Sequence, residues 1–134
     1  MHVHGKCHCG AIAYEADVDP TTVRICHCTD CQALSGSAFR IVVPAEEASF
    51  RLRSGAPKAY IKTTADSGVP RLHAFCADCG SPVYVTAPSG EVRSFGLRVG
   101  TLRQRDSLVP KRQTWLQSKL PWLPSLPGVG VERQ

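Results

Sequence analysis

The sequence predicts a mainly β domain with little helix, tethered by zinc. Three observations favour this class. All seven cysteines fall into three short clusters. The rest of the chain consists of short runs of β-type residues separated by turn residues, and no helical period is sustained over ten residues. A length of 134 residues fits one domain, taken as 1–134. Its core is modest, so metal cross-links would add useful stability.

Eight segments carry a β-type pattern and are predicted to be strands. The third of them is the strongest, and proline ends it; the residues from that proline onward, 44–48, predict a single helical turn. The predicted strands are 10–16, 21–25, 37–43, 49–53, 58–63, 69–75, 82–86 and 92–99.

One short helix is predicted, from Asp30 to Ser35, with Thr29 or Asp30 as its N-cap and Gly36 closing it. The helix start coincides with Cys31. Because a helix N-terminus stabilises a thiolate, this placement suits a metal ligand.

The C-terminal segment 113–134 is rich in tryptophan, leucine and proline. It is too apolar for a solvated linker and has too many prolines for a helix. We expect an extended tail packed on the domain, with a partner-binding stripe as the alternative.

Composition excludes several classes. No apolar run approaches the ~20 residues of a membrane span, and residues 1–6 lack the apolar core of a signal peptide. The expected location is therefore the cytoplasm, where thiols stay reduced. The formal charge is +5, but seven zinc-bound thiolates and two Zn²⁺ ions would subtract three charges. That leaves +2, and the basic residues are scattered, which argues against nucleic acid as a partner.

The cysteine spacings are those of zinc ligands. Cys76 and Cys79 form a C-x-x-C knuckle followed by Gly80, which can take the positive φ of a tight turn. The pairs Cys7/Cys9 and Cys26/Cys28 each place two side chains on one face of an extended segment. A disulfide framework fits poorly, because seven is odd and a C-x-C disulfide is strained.

Seven thiols divide naturally into four and three. Four close a structural zinc site, and three leave a position open for water or substrate. The most economical partition has Cys26, Cys28 and Cys31 on one ion and the two distant pairs on the other, although spacing alone leaves other partitions open.

Three motifs together resemble the glutathione-dependent formaldehyde-activating enzyme family, which includes centromere protein V. They are Gly5-Lys-Cys-His-Cys-Gly10, the stretch from Cys26-His-Cys-Thr-Asp-Cys31 to Phe39, and Phe75-Cys-Ala-Asp-Cys-Gly-Ser-Pro82. The resemblance covers nearly the whole chain. Softer matches include Gly100-Thr-Leu102 and Ser118-Lys-Leu-Pro-Trp122.

The resemblance implies a mostly β, Mss4-like fold, shared with a zinc-binding chaperone of small GTPases. It implies a structural zinc on the four cysteines Cys7, Cys9, Cys76 and Cys79, and a second, catalytic zinc on Cys26, Cys28 and Cys31. The implied reaction is the condensation of glutathione with formaldehyde to S-hydroxymethylglutathione, which is carbon–sulfur lyase chemistry in reverse.

An open zinc suits that reaction, because it can hold a thiolate or polarise an aldehyde oxygen. Three thiolates leave the site at a net charge of −1, so we expect a labile second ion and modest catalysis. Holding thiol and aldehyde together would account for much of the effect.

The chain departs from the family at two places. Arg103-Gln-Arg-Asp106 stands where many members are acidic, and Gln113 stands where many carry histidine. Both departures bear on the substrate and leave the metal ligands intact.

The histidines are expected to be structural. His8 and His27 should point away from the metal, with a proton shuttle as the alternative for His27. His73 is expected in a half-buried strand rather than as a ligand, and His2 and His4 in a disordered terminus.

Three charged residues have two interpretations. Asp30 is expected to cap the helix rather than act as a base. Arg40 and Lys119 are expected to be solvated charges, with binding of a glutathione carboxylate as the alternative.

Two functions follow from the sequence. The first is a zinc-dependent carbon–sulfur lyase acting on glutathione or another small thiol. The alternative is a non-catalytic zinc module that binds a protein partner. An exchangeable position at the second zinc would distinguish the enzyme from the module.

Overall fold

The computed structural model describes residues 1–65, 67–90, 92–126 and 128–131. The described part of the chain holds one α-helix, α1, at Thr29–Ser35. Its strands are β1 (His2–Lys6), β2 (Ala13–Asp17), β3 (Arg24–Cys26), β4 (Arg40–Glu46), β5 (Arg51–Ser54), β6 (Lys58–Lys62), β7 (Arg71–Phe75), β8 (Pro82–Thr86), β9 (Ser94–Arg98), β10 (Arg112–Thr114) and β11 (Gly130–Val131).

The strands form two sheets. One has three antiparallel strands in the order β1-β2-β5. The other has eight strands in the order β11-β10-β3-β4-β9-β8-β7-β6. Neighbours in the larger sheet are antiparallel, except that β10 runs parallel to both β3 and β11. None of the described helices is long and apolar enough to cross a membrane. The prediction of a mainly β fold with little helix is confirmed.

The core lies between the two sheets and is built by strand alternation. Val43 of β4 and Leu97 of β9 pair across the larger sheet and are fully buried. Tyr14 and Ala16 of β2 meet them from the smaller sheet as members of the same apolar cluster. Phe50 links the layers, because its ring packs on those of Tyr14, Tyr84 and Phe95.

The opposite face of the larger sheet is polar. Residues directly opposite each other in an antiparallel pair share a face, and here the pairs are Cys26 with Arg40 and Val42 with Arg98. On β7, which lies two strands from β9, His73 pairs with Val85 of β8. The strands that build the core therefore also present cysteine, arginine and histidine on their other face.

Most predicted strands are present with shifted bounds, and 82–86 has the predicted bounds. The predicted end of the third strand at Pro44 is wrong, because β4 runs through Pro44 to Glu46. On that side β3 pairs only as far as Val42. A proline is tolerated there, since no partner strand needs its missing N–H. The predicted helical turn is a 3₁₀ turn at Glu47–Ser49 instead.

The helix is present, but its N-cap is neither Thr29 nor Asp30. Cys28 has an extended backbone, and its Sγ accepts a hydrogen bond from the Cys31 amide at 3.2 Å. Gly36 closes the helix in the left-handed region at φ 68°, as predicted.

The expectation of a disordered N-terminus is wrong. His2 and His4 lie in β1, which pairs antiparallel with β2. In β1 the two histidines alternate with Val3, which is fully buried. An alternation over so few residues does not distinguish a strand from a disordered terminus in the sequence.

The C-terminal segment contributes β10 and β11 to the larger sheet and forms a 3₁₀ turn at Leu116–Ser118. Trp122 is 70% exposed. Pro127 and 132–134 lie outside the described residues, and the packed tail over 113–134 stays a prediction.

Candidate functional site

Two turns bring four cysteines together at one end of the core. Cys7 and Cys9 follow β1, and Cys76 and Cys79 lie in the turn between β7 and β8. Each turn closes on a glycine with positive φ. Gly10 donates its amide to the Cys7 carbonyl, and Gly80 donates its amide to the Cys76 carbonyl. The four sulfurs lie within 4.8 Å of one another.

The four-cysteine cluster fits a tetrahedral ion. Zinc–sulfur bonds of about 2.3 Å at tetrahedral angles separate neighbouring sulfurs by about 3.8 Å. The Sγ atoms of Cys7 and Cys9 are 3.7 Å apart, and so are those of Cys9 and Cys76. The hydroxyl of Ser81 lies 3.2 Å from the Cys79 sulfur and lowers the pKa of that thiol to about 5. The donor set therefore suits a thiophilic divalent ion.

The other three cysteines form a second cluster where β3 passes into α1. Cys26 ends the strand, Cys28 caps the helix and Cys31 lies in its first turn. Their sulfurs also lie within 4.8 Å of one another. Hydrogen bonds from the other two thiols lower the pKa of Cys26 to about 2, while the same contacts raise the pKa of Cys31. These hydrogen bonds favour the thiolate form of Cys26, and a thiolate is the ligand form that a metal requires.

A cavity of about 560 Å³ opens beside this second cluster. All three cysteines line it, together with Trp115 and Ser118 from the turn after β10. Gly96 forms part of its wall, where a Cβ would lie 2.9 Å from side-chain atoms of Val42 and Val85. This cluster has three sulfur donors, one fewer than the four-cysteine cluster, and all three belong to residues that line a space that a small molecule can enter.

The wall of this cavity is strongly basic. Arg40, Arg71 and Lys62 line it, and Arg98 lies beside Arg40 with its Nη2 atom 3.5 Å from Nδ1 of His73. Burial, followed by the charge of Arg40, lowers the pKa of Arg98 to about 9 and that of His73 to about 3. His73 is therefore neutral at pH 7.

Arg40 is not the solvated charge that we expected. Its Nε and Nη1 atoms are buried and have no hydrogen-bond partner among the residues that the structure describes. The sequence alone does not predict the burial of Arg40. It depends on the strand order, which puts β4 between β3 and β9 and so places Arg40 opposite Cys26 and beside Arg98.

His27 does not line the cavity. It is fully buried, with Nε2 3.0 Å from Oε1 of Gln113 and its ring edge-on to Phe39. The Gln32 side chain donates to the carbonyls of His27 and Ser118, each at 3.0 Å. His27 and Gln113 thus join the end of β3 to β10, which is the structural role expected for His27.

The remaining candidates lie outside the sulfur clusters. Asp30 forms an ion pair with Lys62, whose Nζ lies 2.9 Å from Oδ2 of Asp30. Lys119 donates a hydrogen bond to the carbonyl of Leu123. His8 is exposed, whereas His73 is buried in β7 and faces the cavity. Arg71, Arg98 and Trp115 were missed by sequence reasoning, and strand register is the signal that finds the two arginines.

A second cavity, of about 960 Å³, lies near the four-cysteine cluster. Arg40 borders both cavities. Arg103 and Arg105, which depart from the family pattern, line this larger cavity and not the smaller one. The departure therefore does not alter the wall of the smaller cavity beside the three-cysteine cluster.

Comparison with known proteins agrees with this site. The model of the family described as glutathione-dependent formaldehyde-activating enzyme matches residues 2–118. The chain belongs to this family. The match spans both cysteine clusters, and it confirms the resemblance that the three motifs predicted.

One solved structure of similar fold is the crystal structure of a Rhodobacter sphaeroides protein. It has a TM-score of 0.59 and 25% sequence identity to this chain, covering 75% of this chain and 87% of its own. No curated protein matches the chain. Membership in the formaldehyde-activating enzyme family indicates glutathione-dependent activation of formaldehyde in general terms.

Proposed function

We propose that this protein is a zinc-dependent carbon–sulfur lyase of the S-(hydroxymethyl)glutathione synthase type. It would condense glutathione, or another small thiol, with formaldehyde or a related small electrophile. The observation that carries this proposal is the three-cysteine cluster opening onto a cavity, in a member of the formaldehyde-activating enzyme family.

The proposal assigns two zinc ions per chain. Cys7, Cys9, Cys76 and Cys79 hold the structural ion, for which the 3.7 Å sulfur spacings are suitable. Cys26, Cys28 and Cys31 hold the second ion and leave one position free. A zinc ion held there supplies a site that keeps a substrate thiol as thiolate or polarises an aldehyde oxygen.

The chain's own residues bind and position the reagents. Trp115 and Gly96 form part of the cavity wall. The reaction forms one carbon–sulfur bond, and the thiol proton is transferred to the aldehyde oxygen. His73 faces the cavity, but a pKa of about 3 makes it a poor proton acceptor at pH 7. The protein therefore contributes mainly by bringing the reagents together.

Zinc per chain, measured on protein purified without chelator and again during titration with glutathione, tests this proposal. We expect about two ions, with the second perturbed or released by glutathione. Cys28→Ser should retain one ion, since it removes a ligand from the three-cysteine cluster alone. The rate at which glutathione and formaldehyde interconvert with their adduct, measured by NMR, should be higher with the native protein than with Cys28→Ser. One tightly held ion with no response to glutathione would refute the proposal.

A second candidate function is a non-catalytic zinc module, which the 70% exposure of Trp122 favours. An apolar ring of this size on the surface is a typical anchor for a protein partner. If the module is correct, Trp122→Ala should abolish a defined partner complex and leave zinc content unchanged. Glutathione should then have no effect on either ion.

A further inference from the structure

We propose that the cavity beside the three-cysteine cluster takes a small ligand whose carboxylate lies within two or three bonds of its reacting atom. Arg40, assisted by Arg71, would bind that carboxylate, and Arg98, which lies beside Arg40, would add to the positive charge around it. This inference rests on the proposed function, in that the three-cysteine cluster is taken as the reacting centre. It names a substrate class that neither formaldehyde nor glutathione represents: two- or three-carbon thiol acids and aldehyde acids.

Strand register places the arginines next to the sulfurs. Arg40 is directly opposite Cys26 in the β3–β4 pair, and Arg98 is opposite Val42, two residues further along β4. Side chains paired in this way lie about 5 Å apart at their Cβ atoms. Arg40 therefore extends from the same patch of sheet as the first cysteine of the cluster.

The arginines have unused donors. Nε and Nη1 of Arg40, Nη1 of Arg98 and Nε2 of His73 are buried and have no hydrogen-bond partner within the described ranges. Arg98 and His73 are themselves only 8% and 7% exposed. Buried charged donors are costly when unpaired and are normally satisfied by a partner or a ligand. A carboxylate between the guanidinium groups would satisfy several of them at once.

The charges around the cavity also call for an anion. Arg40, Arg98, Lys62 and Arg71 all act on His73 and lower its pKa. Among the described residues that line the cavity, Asp30 is the one carboxylate, and it already pairs with Lys62 at 2.9 Å. Three thiolates with Zn²⁺ would give the metal centre a net charge of −1. The arginines can offset the repulsion that such a centre exerts on an anionic substrate.

Ligand length decides between substrate classes. Formaldehyde is neutral and would leave every arginine donor unpaired. The carboxylates of glutathione are separated from its sulfur by many bonds, whereas Arg40 starts opposite Cys26. A thiol acid such as mercaptoacetate can place its sulfur at the cluster and its carboxylate at Arg40 together.

Calorimetric titration of the zinc-loaded full chain compares mercaptoacetate with its methyl ester at constant ionic strength. The ester keeps the thiol and removes the charge. We expect the acid to bind at least about ten-fold more tightly, the factor of one charge-assisted hydrogen bond. Arg40→Gln should abolish this preference. Arg51→Gln, a control in the other sheet whose guanidinium contacts only the Ala48 and Phe50 carbonyls among the described residues, should retain it.

A second experiment, with a ligand that has no thiol, tests the carboxylate site independently of the proposed function. Acetate should raise the melting temperature of the native protein and of Arg51→Gln, but not that of Arg40→Gln. This pattern would support the carboxylate site even if glutathione and formaldehyde prove not to react. Equal affinities for acid and ester, or a preference that persists in Arg40→Gln, would overturn the inference. Reactivity with glutathione would then stand alone as support for the proposed function.

Discussion

Replacing one cysteine in each cluster tests the proposed division of the metal ligands. On that division, Cys79→Ser removes the ion that joins two distant turns, whereas Cys28→Ser removes an ion held within a single turn. Cys28→Ser is a clean substitution, because serine is itself a good N-cap and can replace the sulfur that accepts from the Cys31 amide. The two variants should therefore differ mainly in the length of chain that the metal cross-links.

The expected difference follows from that length. Cys9 and Cys76 are 67 positions apart, and a cross-link closing such a loop contributes about 4.4 kcal/mol through the unfolded state. The cluster at 26–31 closes only a local loop, for which the same relation gives about 2 kcal/mol. For a chain of 134 residues, the unfolding entropy is roughly 0.28 kcal/mol/K. The melting temperature should fall by about 15 °C in Cys79→Ser and by about 7 °C in Cys28→Ser.

Differential scanning calorimetry, with zinc measured by mass spectrometry on the same samples, gives both quantities. We expect each variant to lose one ion, with the larger loss of stability in Cys79→Ser. A Cys79→Ser protein that keeps two ions and the native melting temperature would refute the division of ligands. A larger destabilisation in Cys28→Ser would refute the loop-length reasoning.

Three further changes should have distinct effects. Gly96→Ala should cost about 1–3 kcal/mol in urea unfolding, because the new methyl lies 2.9 Å from Val42; unchanged stability would mean that this wall yields easily. Thr101→Val should cost about 1–3 kcal/mol in the same assay, since it leaves the buried Tyr14 hydroxyl without its 2.6 Å partner, and Tyr14→Phe should rescue part of that loss. Burial, and then the charge of Arg40, lowers the pKa of His73 to about 3 in the folded protein. As the pH falls from 6.5 toward 3, the imidazole therefore takes up a proton in the unfolded chain but not in the folded one, and the free energy of unfolding decreases. His73→Gln should have a shallower acid dependence, and an identical pH profile would contradict the assigned burial.

The sequence predicted what depends on local spacing. Cys76 and Cys79 are close enough along the chain for their chemistry to be deduced from two intervening residues, and Gly36 closes the helix as its type requires. The β class followed in the same way from short alternating runs. These features need no knowledge of which strands become neighbours.

The features that the sequence missed depend on long-range pairing. Gln113 meets His27 across 86 positions, and nothing local indicates that β10 runs parallel to β3. Arg40 resembled an ordinary surface charge until β9 was placed beside it. Pro44 resembled a strand terminator, because its tolerance depends on where β3 stops pairing. In each case the deciding partner is distant in the chain.

The strands β3, β4 and β9 alternate between core residues and cavity residues, and this has a consequence for evolution. Exchanging Arg40 or Arg98 changes what the cavity can hold, while Val43 and Leu97 on the other face keep the two sheets together. Substitution can therefore diversify ligand preference with little penalty to folding. A one-residue insertion or deletion within β4 is different, because it would exchange the two faces and disrupt core and cavity together. Relatives with new specificities should thus arise by point substitution within these strands, with length changes confined to the loops between them.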